Sequence, residues 1–384
     1  MAPHRRVLIT GANGYIATRT IAHFLSKNWI VRGTIRDAQS RSAIRLSSHF
    51  AAEKAAGVFE LVVVRDITIP GAFDEAVRDV HAIAHLATPV VFDSGDVEYI
   101  VGTAVRGTLS ILESALEVSE AEGGREAAEG EDGGGKEEEK EKGLRSFILM
   151  SSASAVREPR PEPVTFTEKD WNTTAEAEVR EAGDGAFGHV VYAASKVASE
   201  RAFWDWVETK KPVFAASVLN PCWVAGPPLY TPSTPADITK TNAFIWKVFS
   251  GEDFPAGPSG YGMHVDVRDV ARMSEWAASH PEIADGQRYL VGGNGNVGNP
   301  QAVADILRRA YPGRRHIIEE GTPGEGYQPG YTVGPEGPHV DSSKATNATG
   351  QGWIPYDKMV LDAAQMFEGL FSFMSGSLHK SPRG

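Results

Sequence analysis

Along the first half of the chain, short β-branched runs alternate with longer stretches of helical periodicity. That is the pattern of βαβ units and of a parallel sheet covered on both faces. Residues 7–10 read as the first strand, and residues 15–28 space Ile16, Ile21, Phe24 and Leu25 along one helical face. Apolar runs at 29–35, 60–64, 81–86 and 146–150 follow, and those at 213–219 and 288–291 extend the sheet. The stretches between and after these last two are rich in Gly, Pro and aromatic residues. The pattern predicts an α/β chain, a doubly wound parallel (Rossmann) sheet with a smaller C-terminal substrate lobe. Residues 1–222 plus about 264–292 fall to the sheet domain and 223–263 plus 293–384 to the lobe.

Residues 117–143 break the pattern, having no apolar periodicity and almost nothing to bury. They are expected to form a solvated, largely disordered insertion between a helix ending near Leu116 and a strand beginning near Arg145. Such a connection lies at the strands' N-terminal edge, away from the edge where ligands bind. Charge sharpens this reading. Against 38 basic residues the chain sets 50 acidic ones, for a net −12, and the insertion alone supplies eleven acids and four bases. The acidity is thus largely a property of one segment.

The rest of the composition mostly excludes. An acidic chain lacks the basic face that nucleic acid or an anionic membrane would need, and no apolar stretch reaches membrane-spanning length. The N-terminal apolar run leads into a glycine turn and does not read as a secretory signal. The single cysteine, Cys222, excludes an internal disulfide framework and fits a reducing, cytoplasmic setting. His81 and His85 stand four apart, but in a strand-like alternation with no helix-borne acid, so no metal site is expected. No histidine lies in a motif that would activate Cys222 as a nucleophile.

Candidate chemistry begins directly after the first strand, at Thr10-Gly11-Ala12-Asn13-Gly14-Tyr15-Ile16-Ala17. Gly11 permits a tight turn, Gly14 lets backbone approach a pyrophosphate, and small Ala17 allows the helix to pack closely on the strand. The following helix offers amides and a positive dipole end to phosphate. Gly11, Asn13, Gly14, Tyr15 and Ile16 are therefore candidate dinucleotide contacts. Past the second strand, Arg36 suits a ribose 2′-phosphate and points to NADP(H), with Arg32 as a possible second phosphate ligand. Asp37 keeps NAD(H) as the alternative.

Tyr192 and Lys196 stand four residues apart, on one face of a helix. The ammonium is expected to lower the phenol's pKa and make it a proton donor and acceptor near neutral pH. Ser152 is delivered by the carboxyl end of the strand at 146–150, where it can hydrogen-bond a substrate carbonyl. The chain here resembles the extended short-chain dehydrogenase/reductases, in the branch of dihydroflavonol reductases, cinnamoyl-CoA reductases and fungal aldehyde or ketone reductases. The matching pieces run in order: TGANGYIA, VRGTIRD, Asp66-Ile67, HLATP, AVRGTLSILESA, LMSSASAV, YAASK, LNPCWVAGP, HVDVRDVA and VDSSKA. The resemblance implies hydride passing from NADPH to an aldehyde or ketone, with Tyr192 donating the proton, Ser152 polarising the carbonyl and Lys196 also holding the nicotinamide ribose. It further implies Asp66 and Ile67 beside the adenine, Ala87 along the cofactor's centre with Thr88 as a further contact, and Pro221 at the nicotinamide end. Residues 157–191 and 223–262 are expected to shape the substrate pocket, with Phe187, Trp223, Tyr230 and Tyr261 as candidate aromatic walls or, equally, core residues.

The expected partner is a small carbonyl or alcohol, handled by a monomer or homodimer. One rival reading is a nucleotide-sugar epimerase or dehydratase with tightly held NAD; another is a non-catalytic protein that senses NADP(H).

Overall fold

The computed structural model describes residues 5–89, 96–129, 143–160, 163–254, 263–293, 298–332, 334 and 337–378, the side chains of 122–129 and 371–378 excepted. The strands are β1 (Arg6–Ile9), β2 (Ile30–Ile35), β3 (Phe59–Val63), β4 (Ala82–His85), β5 (Ser146–Met150), β6 (Thr165–Phe166), β7 (Ala215–Pro221), β8 (Trp223–Ala225), β9 (His264–Asp266), β10 (Gln287–Val291) and β11 (His339–Val340). One seven-stranded sheet runs in the order β10-β7-β5-β4-β1-β2-β3. Its pairings from β7 across to β3 are all parallel. Chain order grows outward in both directions from the β1/β4 boundary, so the sheet is doubly wound and its switch point lies there.

The right-handed crossover rule for parallel strands assigns α1 (Tyr15–Ser26) to one face and α4 (Val97–Glu129) and α6 (Gly188–Lys210) to the other. On the second face Leu8, Ile83, Phe147 and Val218 from the strands meet Ile111, Leu112 and Ala115 of α4 and Phe203 and Trp206 of α6 in one apolar core. The remaining helices are α2 (Arg41–His49), α3 (Ala51–Ala55), α5 (Thr173–Ala182), α7 (Ala243–Ser250), α8 (Val267–Ser279), α9 (Pro281–Ala284), α10 (Pro300–Ala310), α11 (Ser343–Thr349) and α12 (Tyr356–Leu378). On the α1 face, His23 lies 3.9 Å from Glu275 of α8.

The expected insertion begins later than its composition suggests. α4 does not stop near Leu116 but continues through Glu129, into the segment expected to be disordered. Val118 packs against the core behind Leu116, and buried Ser119 returns its hydroxyl to the Ala115 carbonyl at 2.8 Å. Beyond them the helix continues through a stretch rich in Glu and Ala, both good helix formers. Residues 130–142 of the insertion lie outside the described residues.

Two compact units emerge: Met1–Pro159, Glu168–Asn220 and Ala271–Tyr289 form the first, and Arg160–Thr167, Pro221–Val270 and Leu290–Gly384 the second. The segment 160–167, expected in the nucleotide-binding domain, joins the second unit because β6 pairs in parallel with β11. Residues 264–270 do likewise, since β9 pairs with β8. The second unit is less loop-built than its Gly and Pro content suggests. Phe244, Ile245 and Phe249 of α7, Val303, Ile306 and Leu307 of α10, and Val360, Ala364 and Phe367 of α12 close a helical core of their own.

Candidate active site

The glycine turn is fastened to two strands. Gly11 has φ +65°, and a β-carbon there would stand 3.2 Å from the Ala87 Cα. Its amide donates to the Thr34 hydroxyl at 3.2 Å, and the Ala12 amide donates to the Thr34 carbonyl at 2.8 Å. Gly33 of β2 makes room for this, since a β-carbon there would come within 2.7 Å of the Ala12 Cβ. Gly14 precedes α1 in extended conformation, no side chain caps the helix, and its first turn carries no acid. The positive end of α1 therefore meets no anion from its own cap or first turn.

Across the switch point, Thr10 joins β1 to the loop after β4. Its hydroxyl oxygen accepts from the Leu86 and Ala87 amides, each at 2.9 Å, and lies 3.0 Å from His85 Nδ1. With both lone pairs used, the hydroxyl hydrogen goes to Nδ1, and His85 carries its own proton on Nε2. Burial holds the imidazole neutral, with its pKa near 3, and the neighbouring Lys196 charge acts in the same direction. His81, four residues earlier, accepts from the Arg6 amide at 3.0 Å through Nδ1. Each histidine is thus a structural ligand of backbone or hydroxyl.

On the lip past β2, Arg36 is exposed, while Asp37 turns its carboxylate onto the Gln39 amide at 2.8 Å. Arg32 has a different place from the one expected. Its side chain is buried, pairing with Glu60 at 2.7 Å and donating to the carbonyls of Ala76 and Arg78 at 3.0 and 2.6 Å. An arginine inside a strand is directed by sheet alternation, and this one points into the sheet's flank instead of the ligand edge. Asn13 donates to the Ser42 hydroxyl at 2.8 Å. Asp66 is exposed and accepts from the amide and hydroxyl of Thr68, bonds that lower its pKa. Ile67 seats on Gly107 of α4, where a β-carbon would lie 2.7 Å from its Cδ1. Thr88 is partly buried in the loop after β4, and Pro221 is buried at the end of β7.

The carboxyl end of β5 and the first half of α6 bring Ser152, Tyr192 and Lys196 together. The Ser152 side chain hydrogen-bonds the Tyr192 phenol and accepts from the Ser154 amide at 3.1 Å. Buried Lys196 donates to the Met150 carbonyl at 3.2 Å, with Nζ 5.8 Å from the centre of the Tyr192 ring. Burial lowers the lysine to about 8, with Glu200 working against it. The tyrosine departs from expectation. Burial raises its pKa, and the Ser152 bond only partly opposes that. The phenol keeps its proton at neutral pH.

The candidate aromatic walls divide. Phe187, just before α6, is 75% exposed and stacks on His189. Trp223 packs against the second unit's core and donates to the Thr241 carbonyl at 3.0 Å. Tyr230 is partly buried in the same unit, and Tyr261 lies outside the described residues. Sequence reasoning missed Glu200 and Arg288, a buried pair beside Ser151 and Asn220. The available signal was an acid on the apolar face of α6, one turn after Lys196.

Comparison with known proteins adds relatives to this geometry. Residues 7–292 match the family described as NAD dependent epimerase/dehydratase. Aldehyde reductase 2 of Sporidiobolus salmonicolor is 28% identical over 315 residues, covering 80% of this chain and 82% of the relative. The ketoreductase adrE of Penicillium roqueforti is 26% identical over 359 residues, covering 92% and 94%. Among solved structures, the yeast methylglyoxal/isovaleraldehyde reductase Gre2 complexed with NADPH superposes with a TM-score of 0.76 at 25% identity, over 96% of this chain and 99% of that one.

Proposed function

Since the chain belongs to the NAD dependent epimerase/dehydratase family, we propose that it is an NADPH-dependent reductase of aldehydes or ketones. The observation that carries this reading is the trio itself, a proton-bearing Tyr192 hydrogen-bonded to Ser152, with the Lys196 ammonium beside it. Relatives described as aldehyde reductase and ketoreductase, and a likeness to a reductase solved with NADPH, support the substrate class and the cofactor.

The residues fit NADP(H). The Gly11 cradle leaves no room for a side chain, the start of α1 offers an uncapped positive end, and Arg36 stands exposed beside an Asp37 already engaged. Gly11, Asn13, Gly14, Tyr15 and Ile16 would hold the pyrophosphate, Arg36 the 2′-phosphate, Asp66 and Ile67 the adenine, and Ala87, Thr88 and Pro221 the remainder toward the nicotinamide. When bound, the cofactor supplies the hydride. Ser152 orients the substrate carbonyl, Tyr192 gives its proton to the carbonyl oxygen, and the Lys196 cation stabilises the phenolate left behind. We place the enzyme in the cytoplasm as a monomer or homodimer, a setting that a single buried cysteine suits. Among the described residues no helix is long and apolar enough to cross a membrane.

NADPH oxidation followed against a panel of aldehydes, aryl ketones and diketones tests the reading. Tyr192→Phe should lower kcat by about a hundredfold or more while leaving NADPH binding intact. Undiminished turnover in that variant would remove Tyr192 from its role. An epimerase would instead retain NAD through gel filtration, and an NADP(H) sensor would bind cofactor but turn over no carbonyl.

A further inference from the structure

Glu200 takes no part in the steps above, yet it is fully buried on α6, one turn beyond Lys196 and two beyond Tyr192. Its Oε2 accepts from the Ser151 hydroxyl at 2.6 Å and from Asn220 Nδ2 at 2.7 Å, and its Oε1 accepts from Arg288 Nε at 2.5 Å. Those donors come from three adjacent strands, at the end of β5, in β7 and in β10. Asn220 Nδ2 also donates to the Ser152 carbonyl, at 3.2 Å. Arg288 lies 3.9 Å over the Trp171 ring and donates to the carbonyls of Glu168 and Asp170 at 2.6 and 2.9 Å. One carboxylate thus gathers the strand ends beneath the catalytic serine and ties them to the helix that bears tyrosine and lysine.

We propose that Glu200 is the positioning residue of this site, fixing the Ser151-Ser152 turn against α6 and keeping Lys196 cationic. Its consequence for rate rests on the reductase reading. Packing alone does not call for an acid here, because burying an ion is costly and an apolar side chain of similar size fills such a space at least as well. The charge has two cations to answer. Arg288 sits on Oε1, and Lys196 stands one turn back with no carboxylate in direct contact among the described residues. The groups facing Lys196 are Tyr192 and Glu200 from α6, His85 from β4 and the Met150 carbonyl from β5, and His85 is neutral. Glu200 is the anion among them. In turn, Glu200 faces Lys196, Arg288 and the neutral donors of Ser151 and Asn220.

The test follows the titration of Lys196 in protein carrying isotope-labelled lysine, its resonance assigned with Lys196→Arg, alongside the pH profile of NADPH oxidation. Glu200→Gln keeps an acceptor for Ser151 and Asn220 but removes the charge. The Lys196 midpoint should fall by about one pH unit or more, and the alkaline limb of kcat should move down with it. Arg288→Met removes the competing cation and should move the midpoint upward. Glu200→Asp should restore most of the wild-type profile. A midpoint unmoved in folded Glu200→Gln, or moved the same way in both charge variants, would overturn the proposal. Should Glu200→Gln fail to fold, the double variant Glu200→Gln/Arg288→Met, which leaves neither charge of the pair buried alone, should show the same fall when read against Arg288→Met, and no fall there would overturn the proposal. Absence of turnover in the wild-type chain would defeat the reductase reading, while the lysine titration would still decide the charge relation.

Discussion

At the scale of single residues, the site depends on where protons and charges are held. Lys196, at about 8, loses its cation just above neutrality, while the phenol of Tyr192 stays protonated. The kcat/KM for NADPH should therefore be level below about pH 8 and fall as pH rises through it, which a pH series of initial rates will show. Arg36 should act on the cofactor alone. Arg36→Ala is expected to raise the KM for NADPH about ten- to a hundredfold, the worth of a charge-assisted hydrogen bond, and to leave NADH kinetics unchanged. Thr10 is a third case, in which one hydroxyl satisfies three partners. Thr10→Val should cost roughly 2 kcal/mol or more in urea unfolding, since it leaves buried polar groups unpaired. The trio was legible in the sequence because YxxxK spacing on a helix and a serine at a strand's end are local facts. Arg32 and the direction of the Tyr192 shift were not, because the first is decided by which flank of β2 a side chain takes and the second by burial.

At the scale of elements, the strands and α1 could be read from periodicity, and the turn joining them from its glycines. Gly11→Ala should lose about 1–2 kcal/mol of stability and most cofactor affinity, as measured by thermal unfolding with and without NADPH, since positive φ and the Ala87 backbone both oppose a β-carbon. The continuation of α4 escaped the reading because Glu, Ala and Arg look the same in a solvated helix as in a loop. Val118 and Ser119 keep the core period going past Leu116. In sequence, residues 130–142 stand between α4 and β5, and an αβ connection belongs to the edge of a parallel sheet opposite its ligand edge. Deleting them removes three net negative charges and should leave kcat unchanged in a steady-state assay. β6 and β11, two residues each, are too short for any periodicity, and their pairing across the sequence had no local signal.

At the scale of the whole molecule, the described residues include one strongly shifted histidine in each unit. His85 in the first and His264 in the second are both fully enclosed and held near 3 by burial, against 6.5 when the chain is unfolded. The unfolded chain therefore binds two more protons between those values. The stability these groups contribute is complete above about pH 6.5 and is lost as pH falls toward 3, by about 2.7 kcal/mol per unit in mid-range. His264 lies among Phe244, Trp223 and Tyr356, and its ring nitrogens find no hydrogen-bond partner among the described residues. His264→Phe should accordingly halve that part of the acid slope in urea midpoints measured across the range. Connectivity sets a last constraint. The chain passes between its two units five times, and three of those passages fall inside β7, α8 and β10. The second unit is therefore not a cassette. A chimera that borrows it from another reductase must exchange three separate stretches at once and accept three junctions within regular structure. Substrate range in this scaffold should be easier to shift by point changes than by recombination.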